Sequence, residues 1–463
     1  VVDGAVPKTI APQETWMAIY PTATAGPDER IGTVHTKTAP GERDGVAGAE
    51  FTLAVNLATT MMSTPAQIDI TGTTWNPSTG GIASFDFDIK SFDHEMNISG
   101  RNAGGRVDLN VTTAGETIPL SLPVGKDFLV SGNLGTTVFN LPALEIGDEV
   151  VIDAFDPMTL SMGKAHVKCI DAVPWNVAGE EVFTKLLTTT IAGVTTKVWV
   201  TMDEEVVRIE TPFGFTLEKI RPQDAYAAIK PSEHTELIDV VAIRPTGLPP
   251  VRGAKRMRIR ISGLPDGVVP PNDTIQRQID PGVFEIRAQD LPSSASVPSP
   301  SPEWMDTLTG DAFVQTGHPK IRAQVDQIVS GSDDALARAL KIHHWVYGNI
   351  DKIAVLTLPS ALEVLESREG DCNEHTVLCT ALARTAGVPT RIAIGVVYSE
   401  ELGGFYYHAW PEVHLGRWIG IDPTLGQESA DATHIKLVVG GIDQWTKLVG
   451  FMGQLQIEVL EIE

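Results

Sequence analysis

The stretch Glu369-Gly370-Asp371-Cys372-Asn373-Glu374-His375 decides how this chain reads. Asp371 followed three residues later by Glu374 is a capping-box start. The run from Thr376 to Thr385 is rich in Ala, Leu, Val and small polar residues; it stops at Gly387, with Pro389 just beyond. A capped start, a Gly stop and a trailing Pro predict a helix of about four turns. With Asp371 as N-cap, Cys372 is the first helical residue. Backbone N–H groups and the positive end of the helix dipole then surround its sulfur and favour thiolate. The negative charge of Asp371 opposes this, so another partner must supply most of the activation.

His408 is that partner. It lies in Phe405-Tyr406-Tyr407-His408-Ala409-Trp410-Pro411-Glu412-Val413, which reads as a strand. His414-Leu415-Gly416 reads as a tight turn, and Arg417-Trp418-Ile419-Gly420-Ile421-Asp422 as the returning strand. Centring the turn on Leu415 sets Glu412 against Trp418 and His408 against Asp422, with opposed Cβ atoms about 5 Å apart. Base and base-orienting carboxylate of a triad then meet by hairpin geometry. Two alternatives stay open on the residues alone. His375, one helical turn from Cys372, is a rival base. Cys372, His375, Cys379 and His408 are a rival zinc set, although they lack paired C-x-x-C or H-x-x-x-H spacing. Cys379 lies about 10 Å further along the helix axis than Cys372, too far for a disulfide.

Together, G-D-C-x-E-H at Gly370 to His375, H-A-W-x-E-V at His408 to Val413 and D-P-T at Asp422 to Thr424 resemble the transglutaminase-like superfamily, specifically bacterial members with papain-like cysteine chemistry. The resemblance runs from Pro319 to Leu437. It implies Cys372 as nucleophile, His408 as general base, Asp422 as its orienter, and a helix-plus-sheet α+β core. It also implies acyl transfer at amide bonds on a protein or peptide substrate. Protease or amidase activity ranks first, protein-glutamine gamma-glutamyltransferase activity second. A non-catalytic binding scaffold on the same core is the alternative of a different class. No cofactor and no metal is expected; no EF-hand-type loop points to calcium.

The chain has 463 residues, for which about three domains is the prior. Formal net charge is −24, which disfavours nucleic acid and anionic membrane surfaces as partners. Three cysteines do not make a disulfide framework; Cys169 and Cys379 are expected as core or idle thiols. No run of 18 or more apolar residues spans a membrane. The chain starts at Val1, and the expectation is an extracytoplasmic protein (periplasmic, secreted or anchored) after removal of an N-terminal segment.

Three domains are expected: 1–230, mostly antiparallel β; 231–302, a small β domain with a Pro/Ser-rich linker; and 303–463, the transglutaminase-like core. In the first, Phe51 to Leu57, Ser84 to Ile89 and Arg106 to Val111 alternate apolar and polar residues, and turn signals such as Asn102-Ala103-Gly104-Gly105 recur. Gln223 to Ile229 is the one short helical candidate there. The order of signatures is similar to the amino-terminal region of bacterial transglutaminase-like proteins. That implies a curved half-barrel like lipoprotein carriers, either cupping a lipid or peptide or packing as a cover. In the second, Thr235 to Ile243 and Lys255 to Ile261 read as strands, the latter alternating basic and apolar residues on what is expected to be a solvated face. In the third, Pro319 to Val329, Gly331 to Tyr347 and Pro359 to Leu365 read as helices, with Leu336, Ala339, Leu340, His343 and Val346 or Tyr347 facing inward and Trp345 in the core. Thr390 to Tyr398 reads as an apolar strand. Leu455 to Glu461 reads as a final strand.

Overall fold

The computed structural model describes residues 12–21, 30–61, 64–91, 94–113, 116–125, 128–130, 144–157, 160–177, 179–191, 194–211, 214–226, 242–264, 268–296, 305–332, 334–353, 360–441, 444 and 453–463. The chain divides into two compact units, Val1–Val240 and Val241–Glu463.

Among the described residues, the first unit is one sheet of fifteen strands. Strands β1 (Gln13–Pro21) to β8 (Glu116–Pro123) run outward in sequence order; β15 (Phe215–Ile220) pairs with the other side of β1 and leads back to β9 (Phe128–Val130) at the far edge. All neighbours are antiparallel except β9 and β10 (Glu149–Asp156). The strict alternation seen in the sequence becomes alternation of burial: β5 (Ser84–Ser91) and β7 (Arg106–Thr113) bury every second residue. The sheet closes on itself. Strands β5 and β10 are ten places apart in the strand order, about 48 Å in a flat sheet, yet the rings of Phe85 and Phe155 stack at 5.2 Å. Both rings are buried, so the inner face at this level is filled by its own side chains. Close approach there needs glycine: a Cβ on Gly100 would stand 2.2 Å from the Phe85 ring that lies across it. The short helical candidate is one turn, α1 (Pro222–Ala225). The turn signal at Asn102 to Gly105 is a turn; Thr235 to Val241 and most of the Pro/Ser-rich linker fall outside the described residues.

In the second unit, β16 (Thr246–Gly247), β17 (Arg256–Ser262), β18 (Gln276–Asp280), β19 (Val283–Arg287) and β26 (Gln456–Ile462) form a sheet in the order β16-β26-β17-β19-β18. The last strand of the chain thus returns to pair with β17. For that reason the boundary expected near residue 302 falls inside one compact unit. The β17 arginines are matched by acidic residues on adjacent strands: Arg258 with Glu461, Arg260 with Glu458, and Arg256 with Glu285 at 2.9 Å. This is a laced strand face rather than a basic stripe.

The second sheet of this unit has four strands, in the order β24 (Trp418–Gly420), β23 (Gly404–His414), β22 (Thr390–Ser399) and β25 (Ile435–Val439). Helices α3 (Pro319–Val329), α4 (Ala335–Asn349), α5 (Ala361–Ser367) and α6 (Cys372–Thr385) follow the short turn α2 (Met305–Leu308). Each begins where the sequence supplies a start. Pro319 sits in the first turn of α3, and Asp334 caps α4 by accepting from the Ala337 N–H. On α4 the buried face is Ala335, Ala339, Ile342, His343 and Val346. Leu336 and Leu340 are only partly buried, Tyr347 is exposed, and Ile342 takes the inward position. Trp345 is half-buried against the core with the Arg368 guanidinium over its ring. Helix α6 is the hub: from Glu374 to Ala383 every residue is buried. A sheet covered on both faces explains why β22 reads as an unbroken apolar run instead of an alternating one.

Candidate active site

The nucleophile candidate is placed by its own helix start. Asp371 accepts from the Asn373 N–H at 2.7 Å, and Glu374 Oε2 accepts from the Asp371 N–H at 2.9 Å. That reciprocal pair is the capping box expected from spacing alone, and it fixes Cys372 as the first helical residue. Gly370 makes room for it: a Cβ there would meet Glu374 Cβ at 2.2 Å, on a backbone with φ of +154°. Glu374 is buried. Burial, and then the neighbouring Asp371 carboxylate, push its carboxyl well above the ordinary range, so it caps as a neutral acid.

The first turn of α6 docks on β23. Thr376 Oγ1 donates to the Ala409 carbonyl at 2.9 Å, and the Ala409 backbone N–H lies on the side of the Cys372 sulfur, where it favours the thiolate. Cys372 is therefore held against the residue that follows His408. Its thiol contacts Asn373 Oδ1 at 3.9 Å. The sequence led us to expect a thiolate, and here the structure differs. Burial raises the Cys372 thiol well above its ordinary value, and the Asp371 carboxylate adds to this, with the Ala409 N–H opposing. The helix end supplies N–H groups, but burial and the Asp371 charge outweigh them.

His408 and Asp422 come together. Asp422 Oδ2 accepts from His408 Nε2 at 2.8 Å, with both residues buried. The route is not the expected ladder. His414 pairs with Trp418 and Glu412 with Gly420, so the turn is centred on Gly416, which takes φ of +82°. Glycine at the left-handed position of a three-residue hairpin loop sets this register. The strand ends at Gly420, and Asp422 sits in a turn closed by two backbone hydrogen bonds with Gln427. Moving the turn centre by one residue moves each pairing by two. An even shift keeps side chains on their face, so His408 still reaches Asp422, diagonally.

Every acceptor of Asp422 is used. Oδ1 accepts from the Thr424 and Leu425 N–H groups. The backbone oxygen accepts from His343 Nε2 at 3.0 Å and from the Gln427 N–H at 2.9 Å. Oδ2 accepts from His434 Nε2 at 3.0 Å as well as from His408. Burial works to raise the Asp422 carboxyl, but His408 and His434 hold it well below the usual range. His434 was not singled out from the sequence. Asp431, three residues before it on the way into an apolar strand, was the available signal. Trp410 packs beside both rings, stacked on His408 at 6.1 Å and nearly perpendicular to His434 at 5.1 Å, while the two imidazoles are 5.8 Å apart.

The rival assignments do not assemble. His375 is buried, and its Nδ1 donates to the Asp371 carbonyl of its own helix cap at 2.7 Å. Among the described residues, Cys372, His375, Cys379 and His408 do not gather into a metal-holding group. The ligand-type atoms of His408, Asp422 and His434 lie within 4.8 Å of one another. They are turned on each other through hydrogen bonds, a row rather than a coordination set. Cys169 and Cys379 are buried free thiols, each raised first by burial.

Residues 322–423 match the transglutaminase-like superfamily, so the chain carries a domain of that superfamily. No curated protein matches the sequence. Three solved structures are similar. A candidate cysteine protease from Cytophaga hutchinsonii is 15% identical over 48% of this chain and 85% of that one, with a TM-score of 0.30. A β-barrel-like protein of a domain of unknown function from Brucella abortus is 12% identical over 45% and 94%, with a TM-score of 0.32. A candidate protease from Parabacteroides distasonis is 11% identical over 63% and 71%, with a TM-score of 0.22. No helix among the described residues is long and apolar enough to cross a membrane.

Proposed function

We propose that Cys372, His408 and Asp422 carry out cysteine-dependent acyl transfer at amide bonds of a peptide or protein, with water as the acceptor. The observation that supports this most is the buried His408–Asp422 hydrogen bond at 2.8 Å, next in the chain to Ala409, whose carbonyl binds Thr376 one turn after Cys372. The Asp422 carboxylate can only accept, so His408 Nε2 carries the proton and Nδ1 is the basic nitrogen. Because the thiol is lifted, Cys372 rests as the thiol. His408 Nδ1 takes the sulfur proton as Cys372 attacks the carbonyl carbon. Asp422 stabilises the imidazolium that forms. The backbone N–H of Cys372, at the start of α6, would meet the developing oxyanion. When the C–N bond breaks, His408 returns its proton to the leaving amine and the acyl group stays on sulfur as a thioester. Water then releases the acid; a primary amine at that step would instead give gamma-glutamyl transfer.

The test is a peptide library incubated with the protein and with Cys372→Ala. New N-termini that depend on Cys372 support hydrolysis. Ammonia release that requires an added amine moves the assignment to transfer. Neither product, with Cys372 alkylated no faster than a free thiol, removes the enzyme reading and leaves a binding scaffold.

A further inference from the structure

The turn between β24 and β25 carries a second imidazole that the mechanism above does not use. His434 is 3% exposed. Its Nε2 meets Asp422 Oδ2 at 3.0 Å; its Nδ1 meets the Asp431 carbonyl at 3.2 Å and lies 3.4 Å from Asp431 Oδ1. A carbonyl and an ionised carboxylate have no proton to give, so both ring nitrogens must be donors. Only the imidazolium form has two. Asp431 is itself anchored by further donors: the Thr433 N–H and hydroxyl, the Gly253 N–H and the Gln427 amide, with the Arg252 guanidinium 3.5 Å away. The result is a row of alternating charge, Arg252, Asp431, His434 and Asp422, that ends on His408.

We propose that His434 is a permanently charged positioning residue: it pins Asp422 Oδ2 beneath His408 and, by sharing that oxygen, weakens the pull of Asp422 on a second positive ring. The catalytic consequence rests on the function proposed above; the charge of His434 does not. Burial by itself would lower the affinity of this ring for its proton, and Asp422 and Asp431 overcome that and raise it. The groups that face the ring are His408 on β23, Asp422 in the turn after β24 and Asp431 on its own loop. Arg252 lies behind Asp431, and His343 of α4 touches the far side of Asp422. His343 donates from Nε2 and has no partner at Nδ1 among the described residues. It is the neutral counterpart to His434, lowered first by burial. Trp410 is the aromatic neighbour, its ring nearly perpendicular to that of His434 at 5.1 Å.

The consequence is that a second positive charge on His408 is disfavoured, since a fixed positive ring shares its carboxylate. Two measurements test it. The first is ring-nitrogen NMR of His434 in the Cys372→Ala chain, which needs no activity. Both nitrogens protonated at pH 7.5 is the expected result; a single-proton tautomer overturns the proposal. The second is the pH dependence of Cys372 alkylation by iodoacetamide in the intact chain. In His434→Gln the amide still donates to Asp422 but the charge is gone, so His408 should hold its proton to higher pH and the acid limb of the profile should move up by about one pH unit, with the rate at pH 6 falling roughly tenfold. Asp431→Asn, which leaves Asp422 untouched, should move it the same way and less. An unmoved limb in both variants overturns the role. If the parent chain shows no limb that depends on His408, the enzyme reading fails, and the NMR result alone decides whether His434 is charged.

Discussion

The large sheet of the first unit and the four-stranded sheet of the second are built from the same kind of hairpin, yet they treat polar residues in opposite ways. In the first, β5 and β7 turn Asp86, Asp88, Asp108 and Asn110 outward, and Asp86, Asp88 and Asp108 meet donors on the same exposed face, Asn97, Arg106 and Ser121. In the second, β22 and β23 are covered on both faces, so every polar side chain on them needs a built partner. His408 has Asp422. Glu412 is fully buried and accepts from Lys436 Nζ at 2.6 Å and from the Arg391 guanidinium; Lys436, itself 1% exposed, also reaches Asp273 at 2.7 Å. A charge inside a sheet is a commitment that only chemistry or architecture repays, and this unit shows both.

The comparison predicts where substitution hurts. The largest effect is on turnover. Asp422→Ala removes the acceptor of His408 and His434 and leaves the tautomer of His408 unset. We expect cleavage, or His408-dependent alkylation of Cys372, to fall by about 10²–10⁴-fold. The matching change on the first sheet, Asp88→Ala, should leave both rates at the parent value. Equal losses from the two changes would erase the distinction between the sheets.

Next comes stability. Lys436→Met leaves Glu412 facing Arg391 alone and Asp273 without its ammonium, and breaking a buried pair on one side costs about 3–5 kcal/mol. Urea unfolding followed by tryptophan fluorescence measures it. A loss under about 1 kcal/mol would mean water reaches the network. Acid titration sharpens the same point. Burial works to raise the Asp273 carboxyl, and Lys436 overrides it, holding the group down at about 2. A carboxyl lowered on folding adds stability that is complete above its ordinary value near 4. That stability drains away as pH falls through about 2. Lys436→Met should flatten that loss between pH 4 and 2. His434 has the opposite sign: its raised value gives stability that is full below about 6.5 and lost as pH rises through the folded value.

How much of this was legible depended on how local the cause was. The α6 start was readable because Asp371 and Glu374 satisfy each other within one turn. The meeting of His408 and Asp422 was readable in its face but not in its register. Side-chain parity survives a shift of two, whereas the turn centre depended on which residue took the left-handed position, and Gly416 rather than Leu415 did. His434 and Lys436 were opaque for one shared reason. Their partners arrive from other strands and loops, and no periodicity marks them. What the sequence did show was a lysine in the apolar run Ile435-Lys436-Leu437-Val438-Val439, a local conflict that a buried network resolves. The thiol of Cys372 was misjudged because a helix start is a local feature while the burial that raises the thiol comes from packing against other elements.

In the first unit the sensitive positions should be steric instead of ionic. Gly100→Ala would drive a methyl into the Phe85 ring at 2.2 Å, and Phe85 is held from the other side by Phe155. Overpacking of this kind costs about 1–3 kcal/mol, and urea unfolding of the whole chain should show it as an earlier first transition. The smallest effect is the outward ion pair of Lys90 and Glu95, with side chains 54% and 69% exposed. Its attraction is screened by salt and offset by the entropy of holding two long side chains. Lys90→Ala should therefore leave the unfolding midpoint unchanged at 0.15 M salt. A drop as large as that of Gly100→Ala would show that this sheet depends on its outer charges as the four-stranded sheet depends on its inner ones, and the contrast between them would be lost.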